Sequence, residues 1–182
     1  MWSVVDDAER ARWNFVPFET VGPLRFGMSI EEMTTVMGAQ GFTGTHSAMT
    51  RPHGALVRQA GFRSENAPLY EEAVTAYCRK SGELAAVVVD ALCGPQVSVE
   101  RLRLVGRVPS DLTERLHGYA EDRGMEPAVS VEGDAVVEQL GLLVRAQRAG
   151  DILLSRPFFA AGFQDWAHTL HDCVPADEWA VR

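Results

Sequence analysis

Lysine is almost missing from this chain: of 17 basic residues only Lys80 is one, and the rest are arginine. Together with many alanines, glycines and valines, that bias marks a GC-rich coding sequence and carries no functional message. Cysteine is also scarce. Cys78, Cys93 and Cys173 are far apart, and with no CxxC pair the zinc-ribbon and thioredoxin patterns are excluded. An odd, sparse set suits a reducing compartment, where cysteines act as small buried apolar residues. Long hydrophobic runs are missing too. The richest, residues 84–89, is strand-length, far short of the ~20 residues a bilayer-spanning helix needs. The first residues are acidic, with Asp6, Asp7 and Glu9, and lack the basic start and apolar core of a secretory signal. A cytoplasmic location without membrane attachment is the expectation.

Several catalytic signatures are lacking. There is no GxGxxG or GxxxxGK[ST] phosphate cradle, no GxSxG elbow and no HExxH zinc helix. No cofactor is expected. Basic surface is short as well: 25 acidic residues outweigh the 17 basic ones, for a net charge of -8. The nearest approach to a basic cluster is Arg101, Arg103 and Arg107. A nucleic-acid binder needs a concentrated basic stripe, so that class is disfavoured. Net negative charge speeds encounter with a positively charged partner.

What is present fits one core. The chain has 182 residues, 46% of them hydrophobic, enough for a single domain. Residues 1–13 read as a loose N-terminal extension and residues 174–182 as a loose tail. A short strand is expected over 14–18, placed at a sheet edge by Pro17. Gly22-Pro23 marks a turn. Ser29 and Glu32 form a capping box that starts a helix with Ile30, Met33, Val36 and Met37 on one face. Residues 42–68 lack a clear period and read as the longest irregular stretch, with a short strand over 55–59. Residues 72–92 alternate as a β-hairpin turning at Ser81-Gly82. A strand follows over 97–105, broken near Glu100. Asp111 and Glu114 predict a second capping box, with Pro109 ahead of it, Leu112, Leu116, Tyr119 and Ala120 as the apolar stripe, and Gly124 as the cap. A short strand over 128–131, a hairpin over 140–159 turning at 149–151, and a last helix over 163–171 complete the reading. Strands paired as hairpins without strand–helix alternation predict an α+β fold: an antiparallel sheet built from hairpins, with two or three helices packed on one face.

Few residues suggest chemistry. His168, His171 and Cys173 share zinc-type donor chemistry, and His46 or His53 would have to complete the set. The spacing matches no zinc module, and no metal site is assigned. Asp90, at the end of an apolar strand, is a candidate buried carboxylate with Arg103 or Arg107 as its partner. Glu31-Glu32 complements a helix N-terminus. Cys173 beside His171 is the thiol with an activating neighbour in sequence.

From Leu24 to Gly38 the chain runs strand, Gly-Met-Ser, Glu-Glu, helix, Gly. These fifteen or so residues resemble a segment of β-lactamase-inhibitor-protein and small outer-membrane-lipoprotein domains. The segment is also similar to a phrase in small actinobacterial proteins, some suspected of immunity roles. The resemblance implies an α+β fold that works by binding another protein. It carries over no functional residue, because the matched positions are structural. The chain departs from the lipoprotein branch in having no N-terminal cysteine to lipidate, and from the two-repeat inhibitors in having no second copy of the motif.

The expected function is therefore a protein-binding module, an immunity or inhibitor protein that neutralises a basic toxin or enzyme. Tyr70, Glu71 and Glu72 are its candidate contact residues, since an aromatic beside carboxylates suits a basic target. The alternatives are an enzyme using Asp90 or the His168, His171 and Cys173 group, and a non-catalytic subunit of a larger complex.

Overall fold

The computed structural model describes residues 3–50, 55–65 and 71–179. In chain order the elements are β1 (Arg12–Val16), β2 (Thr20–Val21), β3 (Leu24–Arg25), α1 (Ile30–Ala39), β4 (Phe42–Thr50), β5 (Val57–Ser64), β6 (Val74–Cys78), β7 (Leu84–Val89), β8 (Gln96–Val99), β9 (Leu102–Arg103), α2 (Pro109–Glu121), β10 (Ala128–Val129), β11 (Ala135–Val137), β12 (Leu142–Ala149), β13 (Ile152–Ala160) and α3 (Ala176–Trp179). The fold is α+β. Eight strands form an antiparallel sheet in the order β10-β11-β12-β13-β7-β6-β5-β4. A smaller mixed sheet runs β3-β2-β1-β8-β9, with β1 and β8 parallel.

The large sheet is covered on both faces. One face packs the small sheet together with α1 and α2, joining Val74, Val87 and Phe159 to Trp13, Met33, Met37, Leu112 and Leu116. The other packs residues 163–179, joining Tyr77, Val88 and Phe158 to Trp166, Leu170 and Val174. All six residues of β7 are buried, which explains its unbroken apolar sequence: a central strand covered on both faces has no polar side to show.

Local signals at α1 hold in full. Ser29 Oγ accepts from the Glu32 N–H at 3.2 Å, and Glu32 Oε2 accepts from the Ser29 N–H at 2.8 Å. At α2 the expected box at Asp111 does not form. The helix starts three residues earlier, capped at Val108 with Pro109 as its first residue and no side-chain cap; proline's fixed φ suits that position, and it has no N–H to satisfy. Gly124 ends the helix at φ +70, with its N–H on the Glu121 carbonyl and the Met125 N–H on the Ala120 carbonyl, the paired bonds of a Schellman cap.

Four other expectations change. Strand β1 sits inside the small sheet, and Pro17 lies beyond it in the turn. The described part of the stretch read as irregular is a long hairpin, β4 with β5. Strand β4 shows solvent to both faces between its two ends, so no alternation marks it. The break near Glu100 is a reversal between β8 and β9, with Glu100 at φ +51. Residues 163–171 make turns and no helix, yet Trp166, Ala167 and Leu170 still bury against the sheet. Their apolar spacing reflects docking without helical hydrogen bonding.

The described parts of both termini are fastened. Asp7 accepts from Gln96 Nε2 at 2.7 Å, Arg107 Nη2 at 2.6 Å and Arg103 Nη1 at 2.7 Å, with Arg12 Nη1 at 3.3 Å. Desolvation alone would raise its carboxyl pKa, but the Gln96 and Arg107 hydrogen bonds and the charges of Arg107 and Arg12 outweigh it. They lower it from 3.8 to about 2. At the other end Glu178 is buried, and the Trp179 ring lies beneath the Arg145 guanidinium.

Two outcomes follow. Ser29→Ala should cost about 1 kcal/mol of stability in urea titration, with the α1 amides losing hydrogen-exchange protection first. Because the folded pKa of Asp7 lies below its unfolded value, the stabilisation is complete above about pH 4 and is lost as pH falls through about 2. The stability deficit of Asp7→Asn, measured by urea midpoints, should therefore be full at neutral pH and shrink over that acid window.

Candidate functional site

Of the three expected contact residues, Tyr70 lies outside the described residues. Glu71 and Glu72 are neighbours with different surroundings. Glu71 lies beside Cys93 and Asp90, and its Oε2 is buried without a hydrogen-bond partner. Burial, then the Asp90 charge, push its pKa up, against a hydrogen bond from Cys93. Glu72 reaches the sheet edge. Its Oε1 meets His46 Nδ1 and accepts from Thr45 Oγ1 at 2.9 Å, and its Oε2 accepts from Thr75 Oγ1 at 3.4 Å. A bulge in β4 between Gly44 and His46 brings Thr45 over Gly61. A Cβ at Gly61 would overlap both the Glu72 carboxylate and the Thr45 hydroxyl, so only glycine lets this cluster sit down on the sheet.

A histidine whose Nδ1 is held by a carboxylate has a fixed orientation, with Nε2 as its free nitrogen. Here the ring stands on an edge strand with its side chain 43% exposed. The arrangement orients an imidazole without excluding water, which is poor ground for acid–base catalysis.

The strongest electrostatic feature is deeper. Strand β13 pairs β7 at Phe158↔Val88, so Arg156 and Asp90, two residues along on each strand, share a face. Pro157 has no N–H for a ladder bond, and the described pairing with β7 stops at Phe158. Arg156 gives two parallel bonds to Glu178, Nε to Oε2 at 2.8 Å and Nη2 to Oε1 at 3.0 Å. Its Nη1 donates to Asp90 Oδ2 at 3.1 Å and to Gln147 Oε1 at 3.2 Å. Gln147 Nε2 donates to Asp90 at 2.8 Å, and the Tyr77 hydroxyl to Glu178 at 2.8 Å. Burial alone would favour a neutral Arg156, but Glu178 and Asp90 raise its proton affinity above the usual range. The partner expected for Asp90 was Arg103 or Arg107; both bond Asp7 instead.

Asp90 also organises the following turn. Its Oδ1 accepts from the N–H groups of Leu92 and Cys93 at 2.8 and 3.0 Å. From the other side Arg10 donates to the carbonyls of Ala91, Leu92 and Gly94 at 2.8, 3.0 and 2.6 Å. This turn forms one wall of a cleft of about 650 Å³ that also touches Gln40, Phe42 and Glu65. The Arg10 guanidinium is spent on carbonyls, and burial pushes the Cys93 thiol above its usual range, so the cleft presents neither a free cation nor a thiolate.

The remaining candidates do not converge. His168 is exposed, His171 packs on the Trp179 ring, and Cys173 is buried with its thiol on the Leu170 carbonyl at 2.9 Å. Burial raises the Cys173 thiol, and Cys78 is pushed up to about 11. Among the described residues no group of three or more His, Cys, Asp or Glu is placed to hold a metal ion.

What sequence reasoning missed is the edge itself. Strand β4 ends the large sheet, and among the described residues nothing pairs along its outer side. The direction of its backbone groups follows from the ladder. Glu65 donates to Gly41, on the β4 side, whereas the Phe62 carbonyl accepts from Ala73, on the β6 side. Backbone groups alternate along a strand, so Gly61 and Gln59 face β4. Their partners His46 and Ala48 face back, leaving the N–H and C=O of Ser47 and Met49 on the open side. The one available signal was compositional: nine residues without proline, lysine, aspartate or glutamate.

The chain matches no protein-family model, no curated protein and no solved structure.

Removing one partner from a buried ion pair leaves the other charge stranded, at a cost of about 3–5 kcal/mol. Glu178→Gln should lose stability on that scale in urea titration and expose residues 163–179 to limited proteolysis. A loss under about 1 kcal/mol would show that Glu178 is not seated on Arg156.

Proposed function

We propose that the protein is a non-catalytic binding module of the inhibitor or immunity type, and that it takes its partner by strand addition along β4. The observation that carries this reading is the long edge that, among the described residues, nothing pairs. Sheet edges are normally kept short, or are blunted with lysine, proline or covering elements. The opposite edge follows that rule, because β10 has two residues. Strand β4 has nine, all but its end residues exposed, and none of them lysine or proline. Such an edge offers main-chain donors and acceptors to an extended segment of another protein, with side-chain contacts giving selectivity. The net charge of -8 favours encounter with a partner that is basic overall. The fixed Glu72–His46–Thr45 cluster stands beside the same edge, so Glu72 belongs to the proposed contact surface.

The test uses tagged protein and its Ser47→Pro variant in parallel captures from native lysate. Proline removes an outward N–H from β4 and leaves the inward bonds to β5 in place. The expected result is one dominant protein held by the wild type and lost by a variant of unchanged melting midpoint, with cross-links mapping to β4. Equal retention by both proteins, or nothing retained by the wild type, would reject strand addition.

A further inference from the structure

The Thr50 end of β4 has a chemical character that narrows what can lie beside it. Met49 is directly opposite Arg58 on β5, and Arg58 is opposite Cys78 on β6, so the three side chains form one row on the same face. Beside that row Met49, Leu56, Arg58 and Lys80 line a groove of about 430 Å³. Met49 is 51% exposed and Leu56 38%, making them two of the larger apolar side chains on the surface. Among the described residues neither the Arg58 guanidinium nor the Lys80 ammonium makes a hydrogen bond or ion pair. Arg79, which also lines the groove, is committed to the Gly162 carbonyl and Glu83. In a chain of net charge -8, this groove sets two cations without side-chain partners beside two exposed apolar side chains.

We propose that the segment added to β4 places an acidic side chain opposite Met49, its stem on Met49 and Leu56 and its carboxylate toward Arg58 and Lys80. This rests on the strand-addition reading and names the local chemistry of that partner. The geometry follows from sheet spacing. Strands lie about 4.8 Å apart, so a residue opposite Met49 on an added strand is about 10 Å from the Arg58 backbone. A guanidinium reaching outward and a glutamate reaching inward close that gap, with methylene stems over the apolar pair. The sign of charge is specific to this side of the hairpin turn. The neighbouring groove shares Arg58, Ser81 and Gly82 but is lined by Glu31, Glu32 and Glu83, and it repels the same carboxylate. Overall charge sets the rate of encounter, whereas these two cations act on one side chain at contact.

The probe is a panel of fluorescein-labelled nine-residue peptides of alternating threonine and valine. One glutamate is walked along the peptide, and matched peptides carry lysine or glutamine at the same position. Binding is read by anisotropy, and the site by amide shifts of β4. At low salt the best glutamate peptide should bind about three- to tenfold more tightly than its lysine counterpart, the scale of two exposed ion pairs. The difference should shrink as salt rises and vanish in Arg58→Gln/Lys80→Gln, which still binds the glutamine peptide. Peptides that shift β4 amides but bind equally well with glutamate and lysine would overturn the acidic preference and leave strand addition standing. If no peptide shifts β4 amides, strand addition itself fails.

Discussion

A single guanidinium ties the ends of β7 and β12 to α3. Arg156 is buried and reaches Glu178 from α3, Asp90 from the end of β7 and Gln147 from β12. A charge taken from water at this depth is tolerable only when each donor has an acceptor and the opposing charges are close. That requirement dictates much else. Asp90 must stay in register with Arg156, which fixes the turn after β7. The turn in turn recruits Arg10, whose guanidinium closes its carbonyls. Glu178 must reach the sheet, which draws residues 163–179 across its second face. An apolar isostere of the trio could be equally stable; what the charges add is one permitted arrangement of strand end, turn and C-terminal segment.

The two edges of the large sheet differ in a way that bears on the proposed function. Strand β10 is too short to template another chain, whereas β4 is long and its outer backbone groups are unpaired among the described residues. The bulge at Thr45 serves two purposes. It twists the edge, a partial guard against indiscriminate pairing, and it brings Thr45 and His46 onto Glu72. Beyond the bulge the strand runs regularly from His46 to Thr50, and the outward groups of Ser47 and Met49 lie in that regular part. Deep polar chemistry at Asp90 and Arg156 is thus consumed by structure.

Short-range signals were legible where a local rule decides the backbone. The Ser29 and Glu32 pair, the Ser81-Gly82 turn and the alternation of β6 each work over a few residues, and each formed. The Pro109 helix was legible but entered one turn out of register, since a helix-initiating proline and a capping aspartate gave competing starts. The β4–β5 hairpin was illegible for a physical reason: an edge strand solvated on both faces has no hydrophobic period to read. Glu71 and Glu72 are adjacent candidate contacts, yet they point to different surroundings. Glu71 turns to Cys93 and Asp90, and Glu72 to His46.

The sequence by itself determined the class of fold, the hairpin over 72–92, the capping box that begins α1 and the glycine that ends α2. These depend on periodicity and on hydrogen bonds between residues three or four apart. Only the tertiary structure decided which charges meet. Asp90 pairs with Arg156 across 66 residues, Tyr77 with Glu178 across 101 and Asp7 with Arg107 across 100. No local pattern specifies such partners, because Coulomb attraction and desolvation depend on distance in space. Which of the described strands would be left at an open edge was settled by the same long-range packing.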